Sequence, residues 1–300
     1  MGETKAGLRV AVLALLWGST FLWIDVALGA LHPTQLTVTR CALGATVLLL
    51  ACRMFGLRLP RGLSTWRHIV VAAFFCNALP FMLFSLGQLT VESGLAGVLT
   101  ATTPLWSMVL GLVLGTEKRC KPARVGGLLL GFGGVILILA PWQESGALGW
   151  GALAILGAAA SYAVAFTYMQ RHLVGSGNAT LSLSAAQLLA ATALTATTLP
   201  LGGVLPEHLS PEILLAVIIL GTASTGVTFH LTYRIIADEG ATNAATVSYL
   251  LPVVAVALGA IVLGEEIGLR VVIGGGVVLA GVALTRAANK TPATPDVKGQ

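Results

Sequence analysis

The chain is short of charge. Only 10% of its 300 residues are Asp, Glu, Lys or Arg, where a soluble domain carries roughly a quarter. An ordinary water-soluble fold is therefore excluded, and no stretch of soluble composition is long enough for a separate domain. Cysteine is scarce too. Cys41, Cys52, Cys76 and Cys120 show neither paired spacing nor a Cys-x-x-Cys motif, and read as free thiols. The sequence has no His-Glu-x-x-His metal motif, and no Walker motif that would make ATP the direct energy source. It implies no cofactor and no metal. The segment Gly221 to Gly226 around Ser224 lacks the Gly-x-Ser-x-Gly spacing of a serine hydrolase. The nearest histidine, His230, lies about 240° around the same helix. An enzyme is thereby disfavoured, and no catalytic residue is assigned.

Apolar residue is what the chain has in quantity, at 56%. Runs of about 20 apolar residues recur, each enough to cross about 30 Å of hydrocarbon as a helix that satisfies its own backbone. The period-2 pattern of a membrane barrel is missing. The runs predict an all-α integral membrane protein with ten spans: 9–31, 34–55, 67–88, 93–115, 122–140, 148–170, 179–200, 212–236, 241–263 and 268–286. Lys5 and Arg9 lead into a first span too long for a signal core.

The sequence pI of about 9.3 invites a nucleic-acid reading, which charge placement opposes. With the N-terminus inside, 15 of the 17 Lys and Arg fall in inside segments. Arg270 falls outside and Arg40 lies within a span. This is the positive-inside pattern with both termini cytoplasmic, as for a bacterial inner membrane. The expected partners are a small-molecule substrate and the bilayer, with no nucleic acid, in a monomer or weak homo-oligomer.

Punctuation residues repeat at an offset of 148. Pro104 maps to Pro252, Gly111 to Gly259, Glu117 to Glu265, Gly126 to Gly274, Gly127 to Gly275 and Gly133 to Gly281. An offset of 145 further aligns Trp17, Phe21 and Trp23 with Tyr162, Phe166 and Tyr168. Five spans per half is an odd number, so the second half enters from the opposite side. The expected organisation is a cytoplasmic segment 1–8, two inverted five-helix repeats (9–140 and 148–286) and a disordered cytoplasmic tail (287–300). The glycine-rich last span of each half suits close helix packing.

These features carry a resemblance. Leu16, Trp17, Gly18, Ser19, Thr20 and Phe21 stand in span one, and Pro33 and Arg40 in span two. Two further stretches run from Thr103 and Pro104 to Glu117, and from Leu251 and Pro252 to Glu265. In these the chain resembles the ten-span EamA-type branch of the drug/metabolite transporter superfamily, over residues 9–286. Tyr162 departs from the Trp common at that place. The resemblance implies an exporter of amino acids or other small metabolites, with a central cavity lined by spans one, three, four, six, eight and nine and opened by alternating access. Spans five and ten would lie at the periphery. A proton-coupled multidrug or cation exchanger and a sugar or nucleotide-sugar exchanger share the fold, and a passive channel is a rival of another class. Ser19 and Thr20 stand where the small multidrug branch places a membrane carboxylate, which disfavours multidrug proton exchange.

Candidate substrate-binding residues sit near the midplane. Ser19, Thr20, Asn77, Thr100, Thr103, Ser161, Thr225 and Ser248 offer neutral polar groups. Trp17, Phe21, Phe81, Tyr162, Phe166, Phe229 and Tyr249 offer aromatic faces, and His230 a titratable ring. For each, packing or a local backbone bond is the competing role. Asn77 cannot be satisfied locally and must face another helix or a wet cavity. Pro104 and Pro252 are paired mid-span kinks and candidate hinges. Asp25 and Arg40 lie at equal distance from the turn at His32 and Pro33, which predicts an ion pair, either a hairpin clamp or a group in substrate charge recognition or proton coupling. The cavity itself is then expected to hold no fixed charge.

Overall fold

The computed structural model describes residues 2–113, 122–139, 149–203, 206, 209–266 and 268–290. Among these the chain is helical throughout and contains no strand. The first hairpin is α1 (Gly2–Gly18), continued after a turn by α2 (Thr20–Leu28), and α3 (Pro33–Met54). Its turn is fixed by sequence. His32 caps α3 by accepting from Thr34 N, and Gln35 reaches back to His32 N at 3.1 Å, with Pro33 supplying the helical φ of the first turn. Then follow α4 (Leu63–Ala73) and α5 (Leu79–Gly87), α6 (Ser93–Thr100) and α7 (Thr103–Val113), and α8 (Pro122–Leu139). The second part contains α9 (Trp150–His172), α10 (Thr180–Ala196), α11 (Pro211–Gly221) and α12 (Thr228–Glu239), α13 (Ala241–Thr246) and α14 (Leu251–Leu258), and α15 (Leu269–Lys290).

Among the described residues, six helical stretches are long and apolar enough to cross a membrane: Ala11–Leu28, Pro33–Met54, Leu63–Gly87, Ser93–Gly111, Trp150–His172 and Pro211–Asp238. Four apolar stretches are shorter: Val125–Gly134, Thr180–Ala196, Leu251–Leu263 and Val272–Gly281. Helix bounds differ from the expected spans by a few residues at several ends, most of all where α1 starts at Gly2 and α15 continues to Lys290. Glu117, Cys120 and residues 291–300 lie outside the described residues.

Among the described residues, three π-helical segments interrupt the α-helices. One, Phe74–Ala78, joins α4 to α5; a second, Thr222–Val227, joins α11 to α12; a third, Gly259–Leu263, follows α14. The first two begin 148 residues apart. The breaks before α7 and α14 are likewise 148 apart, at Thr103 and Leu251. Each proline expected to kink a span therefore sits in the first turn of a new helical segment. There its missing N–H leaves no intrahelical bond unmade.

Packing follows side-chain size. α8 lies against α15, where Gly134 faces the Gly274 carbonyl and Gly281 faces Gly127 and Gly131. α3 packs on α10, α5 on α9, α2 on α11, and α6 on α14. In the last pair Gly97 and Ala255 bring the two backbones close. The outer surface is apolar: Leu15, Leu50, Leu129, Leu215, Ile261 and Val272 are all exposed, as suits contact with lipid.

Candidate functional site

A cavity lies at the centre of the bundle, lined by Trp17, Thr20, Phe21, Arg40, Phe84, Thr100, Tyr162, Ser248 and Leu251. Its free volume is about 10 Å³, close to the least that holds one water. It is thus narrow in this conformation, and every lining residue is buried. α1 and α2 supply Trp17, Thr20 and Phe21, three and four residues apart on one helical face. α9 supplies Tyr162 from across the bundle. The breaks before α7 and α14 bring Thr100, Ser248 and Leu251 to the cavity at chain interruptions rather than on unbroken helix.

The aromatic wall is continuous. Trp17 lies 5.8 Å from Tyr162 and 6.1 Å from Phe166, ring centre to ring centre, and Tyr162 stacks on Phe166 at 5.6 Å. Phe84 meets Phe21 edge-on at 5.6 Å and Tyr162 at 5.8 Å. Such contacts fix ring orientation as well as burying apolar area. Phe84 and Leu251 escaped the sequence reading, because an apolar residue in an apolar span carries no distinguishing signal.

The polar lining has a direction. Thr20 Oγ1 donates to Leu16 O at 3.2 Å and Thr100 Oγ1 to Ala96 O at 2.8 Å. Each hydroxyl hydrogen is thereby engaged within its own helix, leaving oxygen lone pairs free to accept.

Arg40 is the correction to the expected charge pattern. It makes no ion pair with Asp25; the described ion pairs are Arg9–Asp238 at 2.7 Å and Arg234–Asp238 at 4.0 Å. Equal distance from a turn sets equal depth but not direction around each helix. Arg40 points away from the hairpin, between α5 and the π segment Thr222–Val227. Its guanidinium carbon stands 3.6 Å from the Phe81 ring centre, and Nε donates to Thr225 Oγ1 at 3.2 Å. Thr225 can accept because its own hydrogen goes to Leu220 O, five residues back, at 2.7 Å. Asp25 is half-buried, with the Glu265 carboxylate as its electrostatic neighbour. The expectation of an uncharged cavity is thus overturned, and α3 joins the lining.

The remaining candidates fall behind the lining. Phe81 packs edge-on against Phe229 at 5.7 Å and supports Arg40. Asn77, fully buried in the first π segment, accepts from Gln187 Nε2 at 2.7 Å, and Gln187 Oε1 accepts from Tyr233 OH at 2.5 Å. This network extends through α10, which the sequence reading left out. Thr103 donates to Thr100 O at 2.7 Å, and Ser19 to Leu16 O at 3.0 Å. Ser161 donates to Phe75 O at 2.6 Å, satisfying a carbonyl of the π segment. His230 is half-buried off the lining. The Tyr249 side chain lies outside the described residues.

The comparisons with known proteins agree with this architecture. A solved crystal structure superposes with a TM-score of 0.71 over 97% of this chain and 99% of its own, at 23% identity, which speaks to the fold. An uncharacterized transporter of Archaeoglobus fulgidus is 24% identical over 93% of this chain and 97% of its own. The uncharacterized transporter YdfC of Bacillus subtilis is 25% identical, with 90% of this chain and 87% of its own covered. The uncharacterized inner membrane transporter YedA of Escherichia coli K12 is 28% identical, with 85% and 82% covered. The model of the EamA-like transporter family matches twice in succession, at residues 5–140 and 149–287. This integral membrane chain belongs to the EamA-like transporter family, whose members move small molecules across the bilayer.

Proposed function

We propose that this protein is a secondary transporter of small metabolites that exports amino acids with apolar side chains, by alternating access around the central cavity. The observation that carries the reading is the cavity's composition: one wall aromatic, the remainder a few hydroxyls and one guanidinium, all on buried residues. An aromatic wall suits an apolar or aromatic side chain, and scattered polar groups suit a small polar head. A free volume of about 10 Å³ opposes an open channel. A single positive charge and no lining carboxylate oppose a cationic substrate.

The proposed architecture is ten transmembrane helices in two inverted repeats, 9–140 and 148–286, in a bacterial inner membrane with both termini cytoplasmic. The paired π segments and paired breaks, each 148 residues apart, support it. So does packing: the α1–α2 stretch packs on the α11–α12 stretch as α9 packs on the α4–α5 stretch, and these two contacts exchange into one another when the halves are exchanged. Trp17 and Tyr162 hold equivalent places in the two halves and touch, as residues beside a pseudo-twofold axis would. The breaks at Pro104 and Pro252 are the proposed hinges.

The test is counterflow in liposomes holding the purified protein, with a panel of neutral amino acids, sugars, nucleotides and cationic dyes. Saturable counterflow of neutral amino acids supports the reading. Uptake that neither saturates nor exchanges would sink it, and exchange restricted to dyes or sugars would move the assignment to another branch of the family.

A further inference from the structure

We propose that Arg40 is the anchor for a substrate carboxylate, which makes the cavity selective for solutes with an anionic head. This rests on the transporter reading and names the group that would recognise its cargo.

Four observations carry it. Arg40 lines the cavity and is 1% exposed. Its Nη1 is buried and makes no hydrogen bond. No carboxylate among the described residues forms an ion pair with it. Its two contacts, the Thr225 hydroxyl and the Phe81 face, are neutral. An arginine cannot shed its proton under ordinary conditions, so the charge persists in the buried site. A cation held away from water without a counter-ion is costly. Stacking on Phe81 offsets part of that cost and fixes the plane of the fork. The free N–H groups then wait for an acceptor that the fold does not provide, and an entering carboxylate supplies it in the geometry a guanidinium favours.

The rest of the lining fits the same cargo. Thr20 and Thr100 have spent their hydrogens on Leu16 O and Ala96 O, and offer only lone pairs. They suit a donor such as a substrate ammonium. Trp17, Phe21, Phe84, Leu251 and the Tyr162 ring form the apolar wall, and the Ser248 and Tyr162 hydroxyls can donate or accept. Donors at Arg40, acceptors at the two threonines and an aromatic wall make the complement of an α-amino acid with an apolar side chain. A phosphate would bring a second negative charge, and no second cation lines the cavity.

The experiment uses the full-length protein in detergent and in liposomes. Its probes are L-phenylalanine, L-phenylalaninamide, phenethylamine, 3-phenylpropionate and phenyl phosphate. Binding is read by thermal shift and by the fluorescence of Trp17, with a Trp17→Phe control, and transport by counterflow. In the wild type, phenylalanine should bind roughly 10- to 100-fold tighter than its amide or phenethylamine, the span expected for a charge-assisted contact. Phenylpropionate should compete and phenyl phosphate should not. Arg40→Gln should bring phenylalanine and its amide to within about threefold of each other, whereas Arg40→Lys should keep part of the preference. The wild-type series needs no variant, so a misfolded Arg40→Gln leaves it intact. Equal binding of acid and amide by the wild type, a retained preference in Arg40→Gln, or phenyl phosphate outcompeting the carboxylates would each overturn the anchor. Saturable counterflow of sugars with no carboxylate response would overturn it too, while leaving the transporter reading in place.

Discussion

Glu265 closes over the N-terminus of α6 from the far end of the chain. Its Oε1 accepts from Ser93 N at 2.8 Å and Ser93 Oγ at 2.6 Å, and its Oε2 from Gly94 N at 3.0 Å. α6 has no cap from its own neighbour, since the Glu92 side chain makes no capping bond. The first turn of a helix presents unmade N–H donors and a partial positive charge, and a carboxylate answers both. The fit needs glycine at 259, where an added Cβ would run into the Glu265 carboxylate. The contact ties the start of α6, in the first half, to the segment after α14, in the second.

Glu265→Ala should therefore loosen that contact. Losing charge-assisted bonds of this kind costs about 1.5–3 kcal/mol. Amide exchange at Ser93 and Gly94 should quicken, and Glu265→Gln, which keeps acceptor oxygen without charge, should fall between. Unchanged exchange at both amides in Glu265→Ala would show that the contact holds nothing in place.

The buried chain Asn77–Gln187–Tyr233 gives a second prediction. Gln187→Leu removes the shared member and strands both Asn77 Oδ1 and the Tyr233 hydroxyl. Each stranded group costs about 1–3 kcal/mol, against about 0.5–1.5 for simple loss of one bond. Gln187→Leu should destabilise the protein more than Tyr233→Phe, and the double change should cost less than the sum of the two. Unfolding in detergent measures all three, and strict additivity would argue that the network is not coupled.

Trp17 joins the aromatic wall to both Tyr162 and Phe166. Trp17→Ala should lower saturable counterflow of phenylalanine about tenfold, the consequence of losing roughly 1.4 kcal/mol of stacking and apolar contact. Trp17→Phe should restore most of it, because a ring remains. Full counterflow in Trp17→Ala would remove Trp17 from the substrate path.

Much of the fold was legible because punctuation residues report backbone geometry directly. Thr103 with Pro104 and Leu251 with Pro252 mark the two breaks, and Pro33 marks the start of α3. The π segments were not legible, since one extra residue per turn leaves hydropathy unchanged. At the site, Trp17, Thr20, Phe21, Thr100, Tyr162 and Ser248 stood out as aromatic or polar residues near mid-span, and they line the cavity. Arg40 was noticed for the right reason, as a charge within a span, and given the wrong partner. Depth can be counted from a turn, whereas direction around the helix depends on how α3 packs against α5, α10 and α11. Gln187 was passed over because nothing in α10 alone hints at Asn77 across the bundle.

The seam between α8 and α15 gives the last prediction, with a variant on α15 and its control on α8. A Cβ at Gly281 would stand 2.5 Å from Gly131 N and 2.6 Å from Gly127 O. Both are backbone atoms of a helix, which cannot swing aside as a side chain can, so the two helices must separate. Gly281→Ala should destabilise by about 1–3 kcal/mol, the range for overpacking a close contact. Gly133, on α8, faces open space, with nothing within 4 Å of an added Cβ. There alanine only lowers the freedom of the unfolded chain and raises helix propensity, so Gly133→Ala should be neutral or stabilising by up to about 1 kcal/mol. Thermal unfolding of the two variants should give shifts of opposite sign or of clearly different size. Equal shifts would mean that glycine in this seam serves backbone flexibility rather than close approach.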